Sequence, residues 1–320
     1  MRLHGTILLT FILAMASCTK RQEALPYVGN PCGTDTTALN VAVLPTLSCL
    51  PVYYAQRMGM FDSAGVNVQL WRYRAQMDVD TSVLRGHVQV AMSDPFRALR
   101  LQSDTLSVAP LLAIDEPLSM IALKGKRIKH MQQMKEKMVA ISRLSCTDYW
   151  CQRMITDSDI ELSLIFRPQI NDIFLRADML RNGLIDAAML PEPYVTWATQ
   201  EGHRRINRTK TPSLCNALWI MPHRKDKKST HETKSILFAK VYRMAIERMN
   251  SDVNRDTVKA ILKVEYGLPP LLADTIKLPP LPTPRAITAQ EVDTAAEWLR
   301  QQNRLPPIHS TQDFLSKQPE

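Results

Sequence analysis

The feature that most constrains the fold is a repeated order of short apolar runs, turn residues and segments of helical length. The runs are short, rich in β-branched residues, and each is followed by a segment whose apolar residues recur at helical spacing. They occupy residues 39–44, 66–70, 88–92, 137–141, 163–166 and 185–190. Units of this length pair their strands in parallel beneath helices. The pattern predicts an α/β fold with mostly parallel sheets and helices on both faces.

Two further apolar runs, 118–123 and 217–221, flank the second group of units. We expect them to be crossings between two lobes. The predicted lobes are residues 38–120 with 221–320, and residues 121–220. Further helices are predicted at 233–249, 252–265 and 288–302. The proline-rich stretch 278–284 is expected to lie extended on the first lobe.

The N-terminal segment has the features of an export signal. A basic start precedes an apolar run at 6–14 and small residues before Cys18, which is the order of a secretory signal peptide. The run is shorter than the roughly 20 residues of a membrane-spanning helix. Residues 15–18, Met-Ala-Ser-Cys, resemble the bacterial lipobox with Met where Leu is usual. We expect a signal peptide at 1–17, lipidation of Cys18 and a tether at 18–37; the alternative is an ordinary secretory signal.

Charge and cysteine content narrow the classes of partner. The chain has 40 Lys and Arg against 31 Asp and Glu, a formal net charge of +9. Its basic residues are scattered, whereas nucleic-acid binding favours a basic stripe with interleaved aromatic residues. No cysteine pair has the spacing of a zinc site, and we assign no disulfide. We therefore expect no nucleic-acid partner, no metal and no cofactor.

Several segments together match the sequence pattern of one family. Residues 183–194 are Gly-Leu-Ile-Asp-Ala-Ala-Met-Leu-Pro-Glu-Pro-Tyr, and residues 84–91 are Leu-Arg-Gly-His-Val-Gln-Val-Ala, with Gln89 where Asp is usual. Residues 43–61 contain a strand, a Pro-Thr turn and a helix ending at Gly-Met-Phe. In this order, and with Trp298-Leu299 near the end, the chain resembles the bacterial substrate-binding proteins for nitrate, sulfonates, taurine and thiamine precursors.

The resemblance implies the type 2 periplasmic-binding-protein fold, in which two lobes joined by a two-strand hinge close around a small molecule. It also implies a membrane permease and an ATPase as partners, since this chain has no Gly-x4-Gly-Lys-Ser/Thr motif for nucleotide. We expect a monomer in the periplasm or cell envelope, anchored to a membrane by lipid. Its function would be to deliver a ligand to an ABC importer without altering it.

Candidate ligand-binding residues follow from the predicted sheets. Ligands bind beyond the carboxyl ends of strands in open parallel sheets, and four predicted loops lie there, two in each lobe. Hydroxyl side chains and free N–H groups at helix starts can bind an anionic or polar group. The candidates are Thr46, Ser48, Ser93, Asp94, Ser142, Arg143, Ser145, Thr147, Glu192 and Tyr194.

Each candidate also has a structural alternative. Serine and threonine before a helix commonly act as N-caps, worth roughly 1 kcal/mol. Asp94 and Glu192 can cap helices or bond across the hinge, and Tyr194 can belong to the core. Two carboxylates at one cleft favour a ligand with N–H donors, such as a nitrogen heterocycle similar to thiamine precursors. Arg143 instead favours an anion similar to sulfonate or nitrate, so both ligand classes stay open.

Two rival functions stay open as well. The same fold resembles that of fungal pyrimidine-precursor synthases and of enzymes in a menaquinone route. The clustered cysteines of the fungal enzymes are absent from this sequence, no histidine lies in the four loops, and no Gly-x-Ser-x-Gly elbow occurs. The other rival is a lipoprotein that senses its ligand without transport.

Overall fold

The computed structural model describes residues 35, 37–207, 214–224, 231–251, 255–306, 311–316 and 318. The predicted signal peptide, the lipidation site Cys18 and nearly all of the predicted tether lie outside these residues. Within the described part of the chain, no helix combines the length and the apolarity that a membrane crossing needs.

The first sheet combines strands from both ends of the chain. Its strands are β1 Leu39–Val43, β2 Val68–Arg72, β3 Val90–Ser93, β4 Leu106–Ile114 and β9 Ala217–Arg224. They lie side by side in the order β2–β1–β3–β9–β4. β1 is parallel to β2 and β3, whereas β9 is antiparallel to β3 and β4. β1, β3 and β4 are buried along their whole length, as expected for strands covered on both faces.

The second sheet is smaller. Its strands are β5 Leu118–Ala122, β6 Val139–Ala140, β7 Ala187–Pro191 and β8 Arg204–Asn207, in the order β6–β7–β5–β8. β6 and β7 are parallel, whereas β5 is antiparallel to β7 and β8. Both sheets are therefore mixed and not mostly parallel as predicted. The reason is that β5 and β9, where the chain enters each sheet from the other, run against their neighbours.

Helices fill the connections and confirm the α/β fold. They are α1 Leu50–Arg57, α2 Met60–Ser63, α3 Gln76–Arg85, α4 Pro95–Arg100, α5 Cys146–Thr156, α6 Ile173–Arg181, α7 Tyr194–Gln200, α8 Glu232–Ser251, α9 Arg255–Val264, α10 Pro270–Thr275, α11 Ala289–Gln301 and α12 Thr311–Leu315. α3 ends at Gly86 with φ 73°, a left-handed conformation that favours glycine. The predicted strand at 163–166 is only partly formed, because Leu162–Leu164 form a 3-10 turn and Phe166 alone makes a parallel bridge, to Met138. β4, β8 and α10 were not predicted.

The chain passes between the two sheets through short connecting segments. Residues 115–117 lead from β4 to β5, and residues 214–216 precede β9 on the way back. The predicted crossings at 118–123 and 217–221 therefore each belong to one sheet, and the connections lie just before them. We call the first sheet with its packed helices the first half, and residues 118–207 the second half.

A buried carboxylate ties the two connecting segments to the C-terminal region. The Glu291 side chain is fully buried and accepts a hydrogen bond from the backbone N–H of Cys215, at 2.7 Å. It also binds Arg285, with Nη2 to Oε1 at 2.7 Å. Arg285 in turn binds Asp115, with Nη2 to Oδ1 at 2.6 Å. One ion-pair network thus holds both segments, and Thr288 caps α11 beside it.

Glu291→Ala should lower the free energy of unfolding by about 2–4 kcal/mol, because it leaves the Cys215 N–H without its acceptor and removes half of the α11 capping box. Glu297→Ala is the matched control on the same helix, since Glu297 is 58% exposed and its pair with Arg300 contributes less than about 1 kcal/mol. Urea denaturation measures both variants. Equal losses would mean that the buried network does not stabilise the fold.

Candidate functional site

A cavity of about 70 Å³ lies between the two halves, next to both connecting segments. Six of the residues predicted from the sequence line it: Thr46, Ser93, Asp94, Ser142, Ser145 and Thr147. They lie at the carboxyl ends of β1, β3 and β6, at the end of a strand, in the following loop or in the first turn of α5. The carboxyl ends of these strands therefore converge on one space, which is the geometry that the parallel part of each sheet predicts.

Ser48 and Arg143, both predicted to bind the ligand, do not line the cavity. Ser48 is buried behind the cavity and donates from Oγ to Oε2 of Glu116 at 2.7 Å, so it orients another side chain. Arg143 is exposed and donates from Nη2 to the carbonyl of Arg167 at 3.4 Å. The residue following Arg143 has a positive φ of 54°, in a turn that directs the main chain into α5.

Glu192 and Tyr194 are also outside the lining, and both have structural contacts. Glu192 Oε2 accepts from the N–H of Thr196 at 3.0 Å, in the first turn of α7. Its Oε1 lies 3.7 Å from Nη2 of Arg205. Tyr194 is fully buried and donates from its hydroxyl to the carbonyl of Tyr266 at 3.2 Å. These contacts match the capping and core alternatives stated for the two residues.

The sequence missed two arginines that line the cavity. Arg97 of α4 and Arg176 of α6 are 4% and 2% exposed. Arg97 bonds to Asp80, lies 3.8 Å from Asp94 and donates from Nη2 to Ser142 Oγ at 2.7 Å. It therefore connects the first half to the second. Both arginines lie within helices, and only the tertiary arrangement turns those positions towards a loop-lined space.

Arg176 differs from Arg97 in forming no ion pair within 4 Å among the described residues, although the charge of Asp172 acts on it and raises its pKa. Its Nη1 donates to the carbonyl of Ile170 at 3.3 Å, and its buried Nε has no hydrogen-bond partner there. Burial lowers the pKa of Arg176 to about 10, and the nearby charge of Arg97 acts in the same direction. A buried guanidinium with free hydrogen-bonding capacity is costly unless an anion binds it.

Glu116, on the segment between β4 and β5, was also missed. It lines the cavity and is 5% exposed. Its carboxylate accepts from Ser48 twice, from the backbone N–H at 3.2 Å and from Oγ at 2.7 Å. Burial raises the pKa of Glu116 to about 7 and that of Asp94 to about 6. Asp94 additionally caps α4 by accepting from the N–H of Arg97 at 3.1 Å.

The loop before α5 presents a helix N-terminus to the cavity. Ser145 caps the helix by accepting from the N–H of Thr147, as its structural alternative stated. Thr147 Oγ1 accepts from the N–H of Ser142 at 2.9 Å, and Ser142 Oγ donates to Asn171 Oδ1 at 2.9 Å. The partial positive charge of the helix start adds to that of the arginines.

The two halves contact each other around the cavity. The N–H of Leu47 donates to the carbonyl of Glu192 at 3.0 Å. Arg74 forms an ion pair with Asp172 at 2.8 Å, and its carbonyl accepts from the N–H of Ile173 at 3.2 Å. With the bond from Arg97 to Ser142, these contacts join the halves, so the arrangement is a closed one.

The cysteines of the described residues are buried, and these residues form no metal-binding cluster. Cys146 lines the cavity, and burial raises its pKa well above the ordinary thiol value, so the thiol stays protonated and is a poor nucleophile. Cys49, Cys146, Cys151 and Cys215 are free and buried, and Cys32 lies outside the described residues. Within the described ranges, no group of His, Cys, Asp or Glu is arranged to hold a metal ion.

A family model described as "NMT1/THI5 like" matches residues 47–205. This segment contains β2 to β7, the connection through Glu116 and both cavity arginines. No curated protein sequence matches the chain.

Solved structures share the fold at low sequence identity. The alkanesulfonate-binding protein of Xanthomonas axonopodis pv. citri, bound to MOPS, aligns with a TM-score of 0.69 and 15% identity, over 86% of this chain and 96% of that one. The periplasmic nitrate-binding protein of Synechocystis PCC 6803 aligns with a TM-score of 0.70 and 10% identity, over 89% of this chain and 86% of that one. The ligand-binding component of an ABC-type import system from Staphylococcus aureus, with zinc bound, aligns with a TM-score of 0.70 and 12% identity, over 87% of this chain and 96% of that one. These similarities establish the periplasmic-binding-protein fold.

The raised pKa of Glu116 should make stability depend on pH. The folded protein holds this proton more tightly than the unfolded chain, because the pKa is about 7 against an ordinary value of 4.5. The stabilisation is complete below about pH 4.5 and is lost as the pH rises through about 7. The free energy of unfolding of the wild type, relative to Glu116→Gln, should therefore fall by up to about 3 kcal/mol between pH 4.5 and 7.5. Urea titrations measure it, and Glu297→Gln, at an exposed site on α11, is the control. A constant difference between the wild type and Glu116→Gln contradicts the assignment.

Proposed function

Because residues 47–205 place the chain in the NMT1/THI5-like family, we propose that it is a solute-binding protein that closes around a small oxoanion-bearing ligand and delivers it to an ABC importer. The observation that carries this proposal is the guanidinium of Arg176 at the wall of a cavity between two halves. It is 2% exposed, forms no ion pair within 4 Å among the described residues, and its buried Nε has no hydrogen-bond partner there. A buried cation with free donors is complementary to an anion.

The positive charge around Arg176 supports an anionic head group over a neutral heterocycle. Arg97 lines the same cavity, but its charge is shared with Asp80 and Asp94. The N-terminus of α5 faces the space through Ser145 and contributes the positive end of the helix dipole. Arg176, Arg97 and the start of α5 together place more positive potential at the cavity than the predicted loop residues would by themselves.

The cavity size favours a small ligand. Its volume of about 70 Å³ corresponds to roughly five to seven water positions at about 10–15 Å³ each. A sulfonate, phosphonate or carboxylate with a chain of two or three carbons has about this many heavy atoms. The buried guanidinium of Arg176, more than the cavity size, favours the anion among the ligand classes that the sequence left open.

Capture by closure is supported by the contacts between the halves. The bonds of Arg97 to Ser142, Arg74 to Asp172 and Leu47 to the carbonyl of Glu192 must break for the cavity to open. A ligand that touches both sides binds the closed state more tightly and shifts the population towards it. Delivery to an importer rests on relatives of the same fold that are named as ABC-type import and periplasmic binding components.

Binding without chemical conversion is supported by the side chains at the cavity. The thiol of Cys146 has a pKa raised well above its ordinary value, and thiolate formation is what makes a cysteine nucleophilic. The polar part of the lining otherwise presents hydroxyl, amide, carboxylate and guanidinium groups, which bind and orient a small polar ligand, and the rest of the lining is apolar. Release of the intact ligand, checked by mass spectrometry after incubation, is the expected result.

Arg176→Met should abolish binding of small sulfonates while preserving the fold. Methionine keeps the unbranched aliphatic part of the side chain and removes a buried charge, so the melting temperature of the unliganded variant should stay constant or rise. Ligand should raise the melting temperature of the wild type by mass action and leave that of the variant unchanged. Ethanesulfonate at millimolar concentration in a thermal-shift assay, confirmed by calorimetry, is the measurement.

Arg153→Met is the matched control for this test. Arg153 also belongs to a helix of the second half but is 52% exposed and pairs with Asp157 at 3.2 Å. It should bind the sulfonate like the wild type. A large loss of stability in Arg176→Met, with wild-type ligand shifts in the protein that still folds, would make Arg176 a structural residue and defeat the proposal.

We also propose that Cys18 is lipidated and attaches the protein to a membrane of the cell envelope. The support is the apolar run and the Met-Ala-Ser-Cys segment at residues 15–18. Cys18→Ala should abolish incorporation of labelled palmitate and move the protein from the membrane fraction to the soluble fraction. Cys32→Ala, in the predicted tether, should retain label and membrane association. Label retained in Cys18→Ala would exclude this attachment.

A further inference from the structure

We propose that the end of the second half remote from the cavity binds the surface of an anionic lipid bilayer. Four large apolar side chains are exposed there, beside a chain segment rich in lysine and arginine. We define the distal surface as these basic residues of segment 124–137 together with Met138, Leu164, Phe166 and Leu184. Its binding to lipid requires neither the ligand nor lipidation of Cys18.

The strand directions place the distal surface. Ser142, just after β6, and Pro191, at the carboxyl end of β7, line the cavity. Both strands therefore begin at the end of the second half that is remote from the cavity. β5 runs antiparallel to β7, so β5 ends where β6 and β7 begin. The connection 123–138 between β5 and β6 consequently lies at the remote end.

The four exposed apolar side chains are neighbours across this end of the sheet. Phe166 and Met138 are 61% and 39% exposed and form a parallel bridge, so their side chains point to the same face. The carbonyl of Leu164 accepts a backbone N–H from the segment before Met138, at 2.7 Å. Leu184, 60% exposed, lies two residues before Asp186, whose Oδ2 accepts from the N–H of Met138 at 3.0 Å. Adjacent exposed apolar side chains indicate a binding surface, whereas isolated ones do not.

The connection beside these side chains is basic. Segment 124–137 has six lysine and arginine residues and one acidic residue, Glu136. Ile128, Met131 and Met134 are 3%, 3% and 0% exposed, so they anchor the segment to the second half while the charged side chains between them are exposed. Four of the basic residues form no ion pair with another described residue: Arg127, Lys129, Lys135 and Lys137.

This combination of charge and apolarity fits an anionic bilayer. Basic side chains are attracted to anionic head groups, and apolar side chains enter the boundary between head groups and acyl chains. Asp159 and Glu161 are exposed beyond Leu164, and Asp186 pairs with Lys126 at 3.6 Å. The basic side chains outnumber these acidic ones, so a second copy of the same surface would meet a net like charge.

The predicted tether leaves the first half at the corresponding end. Thr37 precedes β1, and the residues after the carboxyl end of β1 line the cavity. The chain therefore enters the first half at the end remote from the cavity. With a lipid at Cys18, the tether and the distal surface would bring both halves to the bilayer. The distal surface alone binds weakly and reversibly, because stable attachment requires two such signals.

The test uses the chain from Thr19 onward, which contains every described residue and lacks the apolar run and Cys18. It is sedimented at low salt with vesicles of equal parts phosphatidylglycerol and phosphatidylcholine, or of phosphatidylcholine alone. Partitioning to the anionic vesicles should be at least about tenfold stronger. It should fall when salt shortens the Debye length from about 10 Å to about 3 Å.

Two variants remove the two components of the surface. Lys129→Gln combined with Lys135→Gln should weaken partitioning about 25-fold, since each basic residue near an anionic surface contributes a factor of about five. Phe166→Ser should weaken it at least about threefold, because binding scales with the buried apolar area. Both variants should keep the wild-type melting temperature, because the replaced side chains are exposed.

The matched controls lie in the first half. Leu271→Ser replaces a side chain that is 79% exposed, and Lys240→Gln combined with Lys277→Gln removes two exposed charges. Both controls should partition like the wild type. Equal partitioning of the wild type to anionic and neutral vesicles overturns the proposal, and so does wild-type partitioning by the two distal variants.

Other occupants of the distal surface would give different results. A dimer in sedimentation velocity that Phe166→Ser abolishes would assign the surface to a second copy of the chain. Binding to the purified importer without binding to vesicles would assign it to a protein. Either result overturns the lipid contact and leaves ligand capture intact, because the thermal shift with ethanesulfonate measures capture separately.

Discussion

The closed arrangement depends on the buried guanidinium of Arg97. It is held in the first half by Asp80 and Asp94 and donates at 2.7 Å to Ser142 of the second half. A desolvated charge must keep its hydrogen bonds, so this side chain fixes the position of the loop before α5 relative to α4. The lining of the cavity follows from that contact, because Asp94 and Ser142 are the ends of the same bonded group.

The remaining charges give the cavity its capacity to bind. A closed state that buries Arg176 without a close ion pair has a free-energy cost, and an anion that enters removes it. The same reasoning applies to Glu116 when it is ionised. Closure and ligand binding are therefore thermodynamically coupled: the ligand shifts the equilibrium only by its differential affinity for the closed state. The ion pair between Arg74 and Asp172 also joins the two halves, but it does not add to the ligand's differential affinity for the closed state.

Local sequence patterns predicted most of the helices and strands, whereas the remaining ones depend on how distant parts of the chain pair and pack. β1, β3 and α6 agree with the apolar runs and periodicity, because each buries one continuous set of side chains. The stretch at 163–166 has a strand-like composition but makes a 3-10 turn. β4 was missed because nothing local separates it from a buried helix or loop. Loop residues were found by strand order, but Arg97, Arg176 and Glu116 required knowledge of which helix faces and connections meet.

Glu116 and Glu192 illustrate why the sequence named Glu192 and missed a carboxylate that lines the cavity. Glu192 follows a strand and precedes a helix, as a loop ligand would, yet the start of α7 uses its oxygens. Glu116 sits on the connection between the sheets, whose place is fixed by Asp115 and by the buried network of Arg285 and Glu291. In the proposed opening, the second half rotates about this segment and the one at Cys215, which the buried network holds in place. The carboxylate that faces the cavity is thus attached to the connection about which the second half closes.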